Sequence, residues 1–262
     1  HGADLVCINR NEKKSQALCE EINSDYGVRC EYIRADLSRI EDVHRAGREL
    51  LQLPVPIDVF IHNAGIYTTK REETVDGLEK VFAVNHLSAF ILNYMLMEKL
   101  KSQGKTRILL VNSEGHRFAV WGLRLADINW EKRWYSGLRG YGSSKTAQLL
   151  TMLLFHEFFE GSGVTINAMH PGAVKTQAGK ENGPLYKWFK TNILERNFQS
   201  PDISAEALYY LGVSDALQGS SGRFFHLTTQ EEPAPPALDR EVAQELWDIC
   251  VHLGGLHEHG EK

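Results

Sequence analysis

The sequence predicts an α/β protein built on a doubly wound parallel sheet, with three layers in a single domain. Strand and helix patterns alternate along the 262 residues, which is typical of βαβ units. The predicted strands are continuous apolar runs, as expected for strands that helices cover on both faces. Polar and glycine-containing clusters follow several of these strands, at the edge where such sheets bind ligands. Together these three observations indicate the fold class.

The first hundred residues contain three strand–helix units. Their strands are apolar runs that end in polar or glycine residues, at positions 3–8, 29–34 and 58–61. Asn11 can cap the first helix, which continues to about residue 26. The second helix follows Asp36 and continues to about residue 51. A long apolar helix is predicted over residues 75–102.

The rest of the chain continues the same pattern. Further strands are predicted at positions 107–112, 164–169 and 222–227. A helix is predicted over residues 142–160. Residues 231–262 complete the domain as a proline-rich linker, a helix over residues 239–253 that ends at Gly254-Gly255, and a tail.

The composition argues against several classes of protein. The formal net charge is −5, which does not suit a nucleic-acid or anionic-membrane surface. No apolar stretch reaches the roughly 18 residues of a membrane span. Four cysteines without a C-x-x-C pair are typical of reduced thiols. We therefore expect a cytoplasmic location, no metal site and no nucleic-acid partner, and we leave open an upstream membrane anchor.

The residues that most clearly indicate catalysis are Tyr141 and Lys145. At i and i+4 they share one face of the predicted helix. A phenol has a pKa near 10, and lowering it by three units needs about 4 kcal/mol of phenolate stabilisation, which a nearby ammonium can supply. Ser113 follows a buried strand and could bind the oxygen that Tyr141 protonates. Asn85 lies in an apolar helix, where an amide needs hydrogen-bond partners.

With these residues the sequence resembles the short-chain dehydrogenase/reductase family over essentially its whole length. The family's N-A-G element and its P-G turn have matches here, and its catalytic tetrad corresponds to Asn85, Ser113, Tyr141 and Lys145. The resemblance is strongest to the retinol dehydrogenase-like branch. That likeness rests on the long loop between Ser113 and Tyr141 and on three segments, Asp127–Lys132, Ser221–Phe225 and Leu246-Trp247. The resemblance implies a Rossmann-type sheet.

The resemblance also implies the cofactor contacts. These residues are Arg10, Asp36, Leu37, Asn63, Ala64, Gly65, Tyr141, Lys145, Pro171, Gly172, Val174 and Thr176. Arg10 occupies the place where members that prefer NADP carry a cation for the 2′-phosphate, whereas enzymes that use NAD usually have an acid there. The implied cofactor is therefore NADP, with NAD possible.

The resemblance implies carbonyl–alcohol interconversion by hydride transfer. Tyr141 would donate the proton, Ser113 would orient the carbonyl, Lys145 would hold the ribose and lower the tyrosine pKa, and Asn85 would anchor a water. The expected substrate is a lipophilic molecule, such as a retinoid, a steroid or another aldehyde or ketone. The alternatives are a general small-molecule carbonyl reductase and a truncated, non-catalytic family member that cannot bind cofactor.

The family's first strand and its T-G-x-x-x-G-I-G loop have no match in this sequence. That loop normally holds the pyrophosphate against backbone N–H groups. We expect the 262 residues to be N-terminally incomplete relative to the family and to bind NADP(H) weakly. We also expect the strands at positions 3–8 and 58–61 to have unpaired edges, because the family's missing strand lies between them.

Two further residues are predicted to contact the substrate. His116 could line the substrate entrance, although an ordinary loop histidine is an equal alternative. Trp188 lies in residues 185–198, whose apolar side chains can share one helix face and form a mobile lid over the substrate. A packed surface helix is the alternative for that segment. The sequence is compatible with either a monomer or a homo-oligomer.

Overall fold

The structure, a computed structural model, describes residues 2–172 and 200–256. Within them lies a sheet of five strands in the order β3-β4-β5-β6-β7. Its strands are β3 (Val59–His62), β4 (Arg107–Val111), β5 (Thr165–His170), β6 (Phe224–His226) and β7 (Thr229–Glu231). The first four are parallel, and β7 returns antiparallel to β6. Helices flank this sheet, so the predicted three-layer α/β architecture is confirmed.

Two further strands form a separate parallel pair. These are β1 (Leu5–Asn9) and β2 (Cys30–Arg34), which pair from Leu5 with Cys30 to Asn9 with Arg34. In the described part of the chain, β1 pairs only with β2, and β3 pairs only with β4. Leu5 is 39% exposed and Ile61 is 43% exposed, unlike the buried β4 and β5. Within the residues that the structure describes, β1 and β3 therefore have the predicted unpaired edges.

Most helices begin and end at residues that satisfy their terminal backbone groups. The helices are α1 (Glu12–Tyr26), α2 (Ile40–Leu51), α3 (Lys80–Phe82), α4 (Ser88–Gln103), α5 (Gly137–Phe158), α6 (Pro201–Val213) and α7 (Arg240–Leu253). Asn11 caps α1 through its side-chain oxygen, which accepts the N–H of Lys14 at 3.0 Å, as predicted. Asp239 caps α7 in the same way. None of the described helices is long and apolar enough to cross a bilayer.

The main core lies where α4, α5 and α7 meet. Phe90 of α4, Phe155 of α5 and Trp247 of α7 contact one another, with ring centroids 4.7–5.4 Å apart. Aromatic contacts at these distances add to the stabilisation from apolar burial. Because both α4 and α5 are anchored here, the functional side chains at their N-terminal ends are held in a fixed relation.

The long helix predicted over residues 75–102 differs from the prediction at its start. The helical segment begins at Lys80, because the carboxylate of Glu79 accepts the N–H groups of Val81 and Phe82 at 2.9 and 2.7 Å. Between α3 and α4 the chain makes a π-helical turn, Ala83–Leu87. Local sequence patterns do not distinguish a π-helical turn from an α-helix.

Two elements were missed by the sequence analysis. The polar residues of β7 lack the apolar pattern of a strand, and β7 forms only by pairing with β6. The start of helix α6 does carry a local signal, because Ser200 caps it and Pro201 occupies its first turn. The four cysteines are free thiols, as predicted, although Cys7 is only partly buried.

Candidate active site

The predicted cofactor residues lie at the carboxyl ends of the parallel strands. Arg10, Asn63 and Pro171 directly follow β1, β3 and β5. Asp36 and Ser113 each come two residues after β2 and β4. Since β3, β4 and β5 are neighbours, Asn63, Ser113 and Pro171 lie along one edge of the sheet. This is the edge at which doubly wound sheets bind ligands.

The predicted cofactor residues differ in their exposure and in their contacts. Asn63, Ala64, Gly65 and Arg10 are exposed, whereas Leu37 packs against the main core. Asp36 uses one carboxylate oxygen to accept the N–H and hydroxyl of Ser38, at 3.0 and 2.7 Å. The other predicted residues, Val174, Thr176 and Trp188, and the predicted lid over residues 185–198 lie outside the described part of the chain.

Tyr141 lies in α5 against the turn that follows β4. Its hydroxyl hydrogen-bonds to the Ser113 side chain, and Ser113 Oγ also accepts the N–H of Gly115 at 3.0 Å. A Cβ atom added to Gly115 would lie 2.7 and 2.9 Å from two carbons of the Tyr141 ring. Only glycine therefore allows the backbone to approach the ring this closely, and the predicted pair of Tyr141 and Ser113 is brought together.

Lys145 is buried on the same face of α5, with 3% of its surface exposed. Its Nζ donates to the carbonyl of Val111 at 2.8 Å and to Gln148 Oε1 at 3.2 Å. It lies 5.8 Å from the centroid of the Tyr141 ring. Burial disfavours the charged amine and lowers the pKa of Lys145 to about 7.

The pKa of Tyr141 does not move in the expected direction. Burial raises it above the usual value of a phenol, and the hydrogen bond to Ser113 opposes this effect without overcoming it. The amine of Lys145 is bound to Val111 and Gln148. The phenol is therefore protonated at neutral pH in this structure.

Asn85 lies in the π-helical turn and is fully buried. Its Oδ1 accepts the N–H of Ile66 at 2.7 Å, and its Nδ2 donates to the carbonyl of Ile66 at 3.0 Å and to Ser144 Oγ at 3.1 Å. Asn85 therefore connects the segment after Gly65 to α5, one residue before Lys145. Both ends of the amide bind protein atoms, so the side chain of Asn85 also has a positioning role. π-Helical turns occur often at functional sites.

Two amides of this site were missed by the sequence analysis. Gln148 donates to the backbone carbonyl of Asn85 at 2.6 Å and accepts from Lys145. Asn112 donates to Gln148 and to the carbonyl of Lys145, at 3.0 and 2.9 Å. Their positions offered a signal, since Gln148 interrupts an apolar stretch of α5 and Asn112 follows a buried strand.

His116 does not line an entrance. It is 1% exposed, and both of its ring nitrogens are engaged. Nδ1 donates to the carbonyl of Ser113 at 2.8 Å, and Nε2 accepts the N–H of Ala234 at 3.1 Å. Burial lowers its pKa, so the ring is neutral. The predicted substrate contact is corrected: His116 ties the turn after Ser113 to the segment before α7.

Comparison with known proteins agrees with this geometry. A family model described as short chain dehydrogenase matches residues 1–123. Human retinol dehydrogenase 13 is 31% identical over 97% of this chain and 78% of its own length. Human retinol dehydrogenase 14 is 34% identical over 94% of this chain and 74% of its own length. A chloroplastic short-chain dehydrogenase of Brassica napus, TIC 32 B, is 30% identical over 96% and 81%.

Solved structures show the same fold at lower identity. A short-chain dehydrogenase from Sphingobium yanoikuyae in complex with NADPH has a TM-score of 0.64 and 22% identity over 80% of this chain and 74% of that one. The L-sorbose reductase of Gluconobacter frateurii has a TM-score of 0.66 and 17% identity over 88% of both chains.

Proposed function

The chain belongs to the short-chain dehydrogenase family of NAD(P)-dependent oxidoreductases, and on this premise we propose that it interconverts a carbonyl and an alcohol on a lipophilic small molecule. The observation that carries the proposal is the partly buried Tyr141, hydrogen-bonded to Ser113 and placed one helical turn from Lys145. A partly exposed acid beside a second hydroxyl suits proton transfer to a carbonyl oxygen.

Each residue of the site has a distinct role in this proposal. Tyr141 donates its phenolic proton to the substrate oxygen in reduction and accepts it in oxidation. Ser113 hydrogen-bonds to the same oxygen and fixes its position. Lys145 holds the nicotinamide ribose. Asn85 holds the segment after Gly65 against α5 through its hydrogen bonds to Ile66 and Ser144. The raised pKa of Tyr141 keeps the phenol protonated, which is the form that reduction requires.

The residues at the strand ends fit a nicotinamide cofactor, which supplies hydride when bound. Gly65 lies close to Asn85 and Lys145. A Cβ atom added to Gly65 would be 3.7 Å from Asn85 Oδ1 and 3.8 Å from Lys145 Nζ. This open backbone can approach a flat ligand closely. Arg10 directly follows β1 and is exposed. Its positive charge favours NADP over NAD, because only NADP carries a 2′-phosphate with which a guanidinium can form charge-assisted hydrogen bonds.

Substitution of Tyr141 tests the proposal. NADPH consumption by the natural full-length protein is measured over a panel of aldehydes and ketones of increasing apolar length. Tyr141→Phe should lower turnover at least about a hundredfold, because it removes a general acid. Tyr26→Phe makes the same atomic change on an exposed part of α1 and should keep full activity. More than a few per cent of the rate left in Tyr141→Phe would refute the assignment.

The same panel separates the alternatives. A preference for long apolar substrates supports the lipophilic assignment, and equal rates for short ones support a general carbonyl reductase. No consumption of NADPH with any substrate, together with no binding in calorimetric titration, supports a non-catalytic member. Relatives whose names describe retinol or polyprenol dehydrogenases favour the first outcome.

Cofactor choice is tested at Arg10. Arg10→Ala should weaken NADPH about 10- to 100-fold, the equivalent of one charge-assisted hydrogen bond, and leave NADH nearly unchanged. Arg29→Ala removes an exposed arginine from the opposite end of the β1–β2 pair and serves as the control. Equal losses for both cofactors would contradict the prediction.

A further inference from the structure

A second cluster of polar side chains lies at the ends of β5, β6 and β7. It contains His170, His226 and Glu231, whose potential ligand atoms all lie within 4.8 Å of one another. Glu114, one residue after Ser113, adds a second carboxylate. These residues are far apart in the sequence, so the prediction of no metal site could not take them into account.

The separations in this cluster suit a common ligand. His170 Nε2 lies 3.6 Å from Glu231 Oε2, and His226 Nδ1 lies 3.5 Å from Glu231 Oε1. A tetrahedral metal with bonds of about 2.0–2.1 Å holds its ligand atoms about 3.3–3.4 Å apart. Each histidine–carboxylate distance exceeds that spacing by only a few tenths of an ångström, each to a different oxygen of Glu231, and the set of ligand atoms lies within 4.8 Å. Small side-chain rotations would bring the three ligands onto one ion.

His170 is the member that most needs a partner. Its side chain is 5% exposed, and in the described part of the chain no atom meets its Nε2 at hydrogen-bonding geometry. The carboxylate of Glu114 is 3.1 Å away but lies outside the direction that a hydrogen bond requires. A buried nitrogen without a partner is costly, and a bound cation would satisfy it.

Arg117 orients the acidic groups from outside the cluster. Its Nε donates to Glu114 Oε2 at 2.8 Å, which leaves Glu114 Oε1 facing His170. Its guanidinium also lies 3.9 Å from Glu231 Oε2 and donates to the carbonyl of Glu232. Outer contacts of this kind hold metal-binding carboxylates in place.

We propose that His170, His226 and Glu231 bind a divalent transition metal, with Glu114 balancing its charge. Two imidazoles and a carboxylate form a ligand set that zinc uses where three protein groups bind it and a fourth position stays open. The rings of His170 and His226 are stacked, with centroids 4.3 Å apart and planes 10° from parallel. Because parallel rings cannot both direct a lone pair at one ion, metal binding requires His226, whose side chain is 44% exposed, to rotate out of this stack.

Zinc titration of the full chain tests the site. The metal-free protein is titrated with Zn²⁺ by calorimetry, and Co²⁺ absorption reports the coordination. We expect one high-affinity metal per chain and at least a tenfold weaker Kd in His226→Gln and in Glu231→Gln. Both positions are partly exposed, and circular dichroism establishes that the variants are folded.

Two control variants distinguish this site from other side chains that could bind zinc. Glu232→Gln changes the exposed neighbour of Glu231 and should bind zinc like the unchanged protein. The double variant His257→Gln, His259→Gln removes the histidines near the C-terminus and should also bind normally. Absence of stoichiometric binding overturns the proposal, as does binding that survives both cluster variants. Binding that is lost in the C-terminal double variant but kept in the cluster variants overturns it equally.

Discussion

The buried amine of Lys145 should make the stability of the protein depend on pH in a defined direction. Its pKa is about 7 in the folded protein and 10.5 in an exposed lysine. Between these values the unfolded chain binds a proton that the folded chain does not. The free energy of unfolding therefore rises with pH in this window, and this contribution is lost as pH falls towards 7.

The size of the effect follows from the same two values. Each pH unit within the window changes the free energy of unfolding by about 1.4 kcal/mol per proton. From pH 7 to pH 9 the gain is about 2 kcal/mol, since the folded amine is still half protonated at the lower limit. Lys145→Met removes this titration and keeps a side chain of similar length in the buried space.

Urea unfolding of both proteins at pH 7, 8 and 9 measures the effect. The lost hydrogen bonds to Val111 and Gln148 shift the stability of Lys145→Met by an amount that is nearly independent of pH. Other titrating groups are common to both proteins and cancel in the difference. The stability of the unchanged protein relative to Lys145→Met should therefore rise by about 2 kcal/mol over this range. Parallel profiles would refute the argument.

Three further outcomes are expected. Gly115→Ala should lower turnover at least about tenfold and the free energy of unfolding by about 1–3 kcal/mol, because its methyl group displaces the Tyr141 ring; unchanged kinetics would show that the ring can shift freely. His116→Ala should cost about 1–3 kcal/mol in urea unfolding, and a change in KM without loss of stability would contradict its positioning role. In hydrogen exchange followed by NMR, the amides of Val6 and Ile8 should exchange faster than their strand neighbours, because Leu5 donates towards β2 and alternate amides point away; equal protection would indicate another partner.

The sequence predicted the fold class and the positions of several candidate site residues, because both depend on local patterns. Continuous apolar runs defined the parallel strands, and their ends located Ser113 and Asn63. Helical spacing placed Tyr141 and Lys145 on one face. The side-chain oxygen of Asn11 also predicted the start of α1 correctly.

The remaining features depend on contacts between distant segments. The engagement of both His116 nitrogens requires Ala234, more than a hundred residues away. The raised pKa of Tyr141 follows from burial, which spacing along one helix cannot measure. Likewise, β7 is too short and polar to be recognised without β6 beside it.

The π-helical turn at Ala83–Leu87 has a consequence for changes in chain length. Such a turn contains one residue more than a regular α-helix would use, and one residue corresponds to a rotation of about 100°. The extra residue therefore changes the direction in which side chains leave the helix. Phe82 before the turn and Phe90 after it both point into the core, while Asn85 between them points at Ile66. Deleting a single residue here would rotate one half of the helix out of register with the other. Homologues and engineered variants should therefore keep the length of this segment fixed even where its side chains change.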